Sequence, residues 1–265
     1  MSTSFTPHAP TLERMQRWRD DPDVIGIVQV GSRTRGLGDA TSDDDLEVLL
    51  SPDAFARLEP AACHEFVVEG EGAARRVIYD AQLTCLAEYR RKLESSHDLD
   101  HWPYERAVVH HDTSGEIAGA VQALAAMPES FRRARIRHAA IDAWASLHRA
   151  QKTRARGLEA SARLVLDRAV RALSRIAFAL EDRWVPLEHW WESELGSLAD
   201  PHGLAPRLMR GVTESDSKPL FEALEALAAP LEHWGVPPDL LGRRALFLTL
   251  IHVSNVDERA RHATP

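Results

Sequence analysis

Three acidic residues at alternate positions, Asp43, Asp45 and Glu47, stand in the segment DDDLEVLL. In an extended strand alternate residues share a face. These carboxylates therefore line one side, and Asp44, Leu46, Val48 and Leu50 line the other. Leu46, Val48 and Leu50 read as the buried face. Neighbouring carboxylates repel, and burial adds to the cost of the charge. Hard divalent cations, which take oxygen ligands, relieve that cost. Just upstream, the apolar run VIGIVQV ends at Gly31-Ser32, and Gly36 and Gly38 follow. Glycine allows a tight turn and a close approach of phosphate to the backbone. Backbone N–H groups at a helix start attract anions. The Ser32 hydroxyl and the guanidinium groups of Arg33 and Arg35 are placed to add phosphate contacts. A phosphate grip so near paired aspartates suits metal-assisted attack on a nucleotide phosphate.

The elements that must position these residues are legible from periodicity. Strand-like runs cover residues 24–30, 43–50, 65–69, 76–83 and 107–111, with Gly70-Glu71-Gly72 turning a hairpin. Helical spacing covers 12–19, 52–57 and 86–93. Strands and helices are mixed, which makes the class α+β or α/β. Beyond Glu116 the pattern turns helical, over 131–154 and 158–182. The second of these carries an apolar stripe of Leu164, Leu166, Val170, Leu173, Ile176, Ala177 and Leu180. Pro186 reads as a first helical position, and further helices are expected over 206–212, 218–234 and 238–251. Met127-Pro128-Glu129-Ser130 breaks one helix and caps the next. Two domains are expected, 1–127 around a small mixed sheet and 128–265 as a helical bundle.

The order of these signals resembles a known family. Gly-Ser, a glycine loop and then Ser-Asp-x-Asp-hydrophobic is similar to the signature of the polymerase-β-like nucleotidyltransferases. The closest pattern is that of the minimal and antibiotic-modifying members, GSxxRGxxxxxSDxDL. The chain matches it at Gly31, Ser32, Arg35, Gly36, Ser42, Asp43, Asp45 and Leu46. The resemblance implies that Asp43 and Asp45 hold two Mg²⁺ ions. It also implies that Gly31 and Ser32, with Arg35 and Ser42, bind the triphosphate of ATP or another nucleoside triphosphate. Relatives add a third carboxylate on a later strand. Asp80 in RRVIYDAQL is the best candidate, ahead of Glu69 and Glu65. Alternation around Asp80 would put Ile78 and Gln82 on its side and Tyr79 on the other. The segment RGLEASARLVLDRAVRALSRIAFALEDRWVPLEHWW resembles the family's helical tail, with His189 near the place of a lysine.

The resemblance implies transfer of a nucleoside monophosphate, AMP first among them, to a small-molecule hydroxyl such as an aminoglycoside-like antibiotic. The alternatives are a protein-modifying nucleotidyltransferase and a non-catalytic nucleotide sensor on the same scaffold. Composition narrows the partners. The formal net charge is −8, which disfavours nucleic acid and tolerates a cationic small molecule. No apolar run spans a bilayer and no signal peptide is evident, so a cytoplasmic location is the expectation. Cys63 and Cys85 have no metal-ligand spacing, and the thirteen histidines form no zinc motif. Trp184, Trp190 and Trp191 read as core before they read as a wall of an acceptor pocket beside Glu188, Glu192 and Glu194.

Overall fold

The structure, a computed structural model, describes residues 6–236. The chain forms two compact units. One holds the residues up to Ser95 together with Leu99–Ala126, and the other holds Ser96–Asp98 and the residues from Met127 onward. The class is α+β.

The first unit is built on five strands: β1 (Val24–Val30), β2 (Asp44–Leu50), β3 (His64–Glu69), β4 (Arg76–Thr84) and β5 (Val108–Asp112). Their order is β3-β4-β2-β1-β5. β2 and β4 run parallel, and the other neighbours run antiparallel. The helices are α1 (Ala9–Arg19), α2 (Gly31–Thr34), α3 (Pro52–Ala56), α4 (Leu86–Leu93) and α5 (Ile117–Ala125). α3 starts where Ser51 Oγ accepts the Ala54 N–H at 3.3 Å and Pro52 needs no amide partner.

Both faces of the central strands are covered, which corrects the expectation of one buried face. On one face Met15 and Trp18 of α1 and Ala54 of α3 join Ile27, Leu46, Val48 and Leu50. On the other, Tyr89, Tyr104, Ile117, Val121 and Leu124 pack with Val28 and Leu49. A parallel pair such as β2–β4 sits readily in a sheet covered on both sides. The face bearing the acidic residues therefore runs from half-buried Asp43 and Asp45, through buried Glu47, into fully buried Leu49. Strict alternation also fails on β4. The register shifts between Val67 and Val68, where the β4 partner steps from Tyr79 to Val77 and leaves Ile78 as an extra residue. Such a bulge puts two successive side chains on one side. Ile78 and Tyr79 accordingly bury in the same core, and Ile78 does not share the side of Asp80.

The second unit is helical: α6 (Glu129–Arg154), α7 (Glu159–Leu180), α8 (Trp191–Leu195), α9 (Leu204–Thr213), α10 (Ser217–Ala226) and α11 (Ala228–His233). α6 and α7 pack along each other. They bury Ala139, Ala143, Leu147 and Ala150 on α6, and Ala162, Leu166, Ala169 and Leu173 on α7. Three- and four-residue steps define that stripe. Leu164 lies two residues past Ala162, falls off the stripe and is 73% exposed, contrary to its expected place. No helix starts at Pro186; just before it Trp184 is buried and the Val185 N–H donates to Asp98 at 3.0 Å. A 3₁₀ turn, Glu188–Trp190, then leads into α8. The expected helix over 218–234 is two helices, α10 and α11, divided at Leu227. Pro230 lacks the amide that would continue the first. The helix expected at 238–251 lies outside the described residues.

Candidate active site

The acidic cluster is assembled by register. Asp43 precedes β2 by one residue, and Asp45 follows two residues later on the same face. Asp45 pairs with Asp80 across the parallel β2–β4 ladder, so the two side chains stand side by side on that face. The three charges act on one another. Burial raises the Asp43 carboxyl above its ordinary range, and Asp80 and Asp44 add to the effect. Asp45 is pushed up to about 7, first by burial and then by the charges of Asp43, Asp80 and Asp44. No hydrogen bond or ion pair to the Asp45 carboxylate is present among the described residues. Asp80 is 41% exposed on its side chain and meets His64 Nε2 from β3. His64 leans in turn on the Phe66 ring, at 5.8 Å between centroids.

Gly31 follows β1 directly and opens α2 in the left-handed region, at φ 83°. A Cβ built there would overlap Asp45 Oδ2 and lie 2.7 Å from its Cγ. Glycine is therefore required twice, once for the turn and once to leave room for a carboxylate. Ser32 follows in α2, 7% exposed, and its carbonyl accepts the N–H groups of Arg35 and Leu37 at 3.2 and 3.0 Å. The cluster and the turn that were expected to bind metal and triphosphate are thus neighbours through Asp45.

The other expected phosphate ligands point elsewhere. Arg35 is 2% exposed on its side chain. It donates to Trp102 O at 2.9 Å and Glu105 at 3.0 Å, and it stacks over the Trp102 ring at 4.4 Å. A guanidinium so engaged inside its unit braces the loop. Arg33 is also turned inward, with Nε 2.8 Å from Asp44 Oδ1 and donations to Ser42 O and Thr6 O. The Ser42 hydroxyl accepts the Asp39 N–H at 2.9 Å and donates to Asp39 Oδ1 at 3.1 Å, so it ties off the turn before β2. Neither weaker choice for the third carboxylate joins the cluster. Glu65 binds Arg14 and Tyr79, side chains of the opposite face, and Glu69 lies 3.5 Å from Arg76. In the second unit Trp184 and Glu194 are buried, and Glu194 is ion-paired with Arg183. His189 is exposed with its ring against Trp190.

The contacts of several residues that matter here were not legible from spacing alone. Glu47, which alternation places in line with Asp43 and Asp45, is 7% exposed and bound by Tyr89, Tyr104 and Lys92, at 2.5, 2.8 and 2.9 Å. Burial and the Glu47 charge raise both tyrosine hydroxyls, which keeps them protonated donors. Asp44 is fully buried, accepts three hydrogen bonds and is ion-paired with Arg33. His64 lies one residue before the expected start of its strand. Its alternation with Phe66, opposite Asp80 in the hairpin, was the available clue.

Among the described residues no three His, Cys, Asp or Glu side chains are drawn together as a ready metal site. The donor set nevertheless fits a hard divalent cation. It consists of carboxylates only, on one face, with charge that nothing described around Asp45 neutralises. Asp43, Asp45 and Asp80 are the residues that would hold it.

Residues 100–191 match a family described as a domain of unknown function, DUF4037. None of the curated proteins matches the chain. Among solved structures it is similar to a nucleotidyltransferase-like protein from Exiguobacterium sibiricum 255-15. The two are 13% identical over 92% of this chain and 80% of that one, with a TM-score of 0.46. Among the described residues no helix is long and apolar enough to cross a membrane.

Proposed function

We propose that the chain is a Mg²⁺-dependent nucleotidyltransferase. It moves a nucleoside monophosphate, with AMP the first choice, from a nucleoside triphosphate to the hydroxyl of a small-molecule acceptor. The observation that carries this reading is the Asp45–Asp80 pairing on adjacent parallel strands, with Asp43 on the same face and the Gly31 turn against Asp45. Like charges held together on a half-buried face, with no described counter-charge on Asp45, are a cost that a purely structural cluster has no reason to bear. Bound divalent cations would neutralise the triphosphate and lower the barrier to displacement at its α-phosphorus. The chain's own part is to orient. Asp43, Asp45 and Asp80 fix the charge they receive on one sheet face. Gly31 leaves a wall without a side chain where phosphate can approach the backbone. In the transfer, the acceptor oxygen bonds to the α-phosphorus, the bond to the bridging oxygen breaks, pyrophosphate leaves and the hydroxyl proton is released. An acceptor that is cationic would agree with the acidic balance of the chain.

The test is pyrophosphate release. The purified chain, Mg²⁺ and each nucleoside triphosphate are combined with a panel of hydroxyl acceptors, aminoglycosides included, and Asp45→Asn serves as the blank. Release that needs both an acceptor and Asp45 supports the reading. Absence of release with every nucleotide and acceptor, or equal release by Asp45→Asn, rejects it.

A further inference from the structure

Asp44 and Arg33 are charged, buried and unused in that chemistry, with side chains 0% and 7% exposed. Asp44 stands between Asp43 and Asp45 and by alternation points to the opposite face. Its carboxylate gathers groups from four parts of the chain. Oδ2 accepts the His8 N–H at 2.8 Å and the Thr11 hydroxyl of α1 at 2.6 Å. Oδ1 accepts Gln29 Nε2 of β1 at 3.1 Å and lies 2.8 Å from Arg33 Nε of α2. The Gln29 amide is held in turn by His110 Nε2 of β5, which donates to Gln29 Oε1 at 2.9 Å. Arg33 spreads its fork in a similar way. Beyond Asp44 it reaches Ser42 O, next to Asp43, and Thr6 O, at 3.4 and 2.8 Å.

These contacts join the two halves of the candidate active site from beneath. Gly31 and Ser32 share α2 with Arg33, and Asp43 and Asp45 flank Asp44. A buried ion pair contributes little net stability against an apolar replacement, and its gain lies in fixed geometry. We propose that Arg33 and Asp44 are a positioning pair that sets the Gly31–Ser32 turn against the Asp43 and Asp45 carboxylates. A shift of Asp44 rotates both flanking residues, since they share its strand. The inference rests on the nucleotidyl-transfer reading for the meaning of that geometry. It assigns Arg33 a place under the site, where the sequence pattern suggests a phosphate ligand.

Two variants separate the roles. Arg33→Lys keeps the charge and loses the planar fork, while Asp44→Asn keeps the shape and loses the charge. For a positioning pair each lowers kcat for pyrophosphate release at least about tenfold and moves the KM for ATP less than about threefold. The double variant is then little worse than the poorer single one, because both remove the same contact. A rise of about tenfold in KM with kcat intact makes Arg33 a phosphate ligand and overturns the proposal. So do unchanged constants in both variants. A second measurement needs no turnover: backbone amide exchange of the full chain without nucleotide. Exchange should quicken at residues 31–35 and 43–45 and stay slow at Val48, Leu49 and Leu50. Unchanged exchange at the turn, or quickening throughout the sheet, overturns the pair's role. Should the parent protein release no pyrophosphate from any nucleotide, the nucleotidyl-transfer reading fails alone, and the exchange pattern still decides whether the pair holds the turn to the strand.

Discussion

Asp45 and Gly31 depend on one another, and each makes a prediction about the other. Asp45 titrates near 7 in the folded chain against an ordinary value of 3.8. Below about pH 4 its carboxyl is protonated whether the chain is folded or not. Between there and about 7 the unfolded chain releases a proton that the folded chain keeps, so each step upward in pH favours unfolding. Above about 7 both states are ionised and the slope vanishes. Thermal melting of the metal-free protein from pH 4 to 8 should therefore show a fall that Asp45→Asn flattens, and equal slopes would contradict the buried environment. A divalent cation binds the ionised form, so its stabilising effect should be larger at pH 8 than at pH 6. In turnover, Asp45→Asn and Asp43→Asn should lose a factor of about 10² or more while remaining folded. Gly31→Ala should cost about 1–3 kcal/mol in stability, from a strained φ and from overlap with Asp45. That cost should shrink in an Asp45→Ala background, where the overlap is gone. An undiminished cost would place the strain in the turn alone.

At the scale of elements, β2 is the strand whose two faces serve different ends. One carries Asp44 into a lattice of donors, and the other descends from the acidic cluster through Glu47 to Leu49. The Glu47 network ties β2 to α4 through Tyr89 and Lys92. Lys92→Met should leave Glu47 short of its counter-charge and destabilise by about 3 kcal/mol, discounted from the fully buried case because Lys92 is partly exposed. Tyr104→Phe removes one donor and should cost about 1–3 kcal/mol. Urea midpoints with an unchanged m-value would measure both. Strand and helix periods made most of these elements legible: β1 and α4 run over the residues that spacing indicates. What spacing could not show was the bulge at Ile78, which depends on how β3 turns back onto β4. Nor could it show the destinations of Arg33 and Arg35. A loop arginine beside glycines looks the same in sequence whether its partner is a phosphate or a carboxylate many residues away. The pairing of Asp45 with Asp80 is long-range in the same sense. Periodicity marked each as a strand residue, and only the β2–β4 register made them neighbours.

Across the whole molecule, the path of the chain matters as much as its elements. Asp98 belongs with the helices although Ser95 and Leu99 belong with the sheet. It is ion-paired with Arg135 of α6, whose side chain is 1% exposed and stacks over the rings of Phe131 and Trp184. Asp98 also accepts the Val185 N–H, which pins the segment entering the 3₁₀ turn. Asp98→Asn should destabilise the chain by about 3–5 kcal/mol, the range for breaking a buried pair on one side, and calorimetry of the full chain would show it. If the melting temperature is unmoved, Arg135 finds its compensation elsewhere. Ser96–Asp98 thus behaves as a graft, a few residues lent by one half of the chain to the other. A gene fusion or recombination that joined at Met127 would inherit the helices but leave their buried arginine without its aspartate. Exchange of the helical half between relatives should therefore succeed only when the short tripeptide travels with it, so the unit of inheritance is discontinuous.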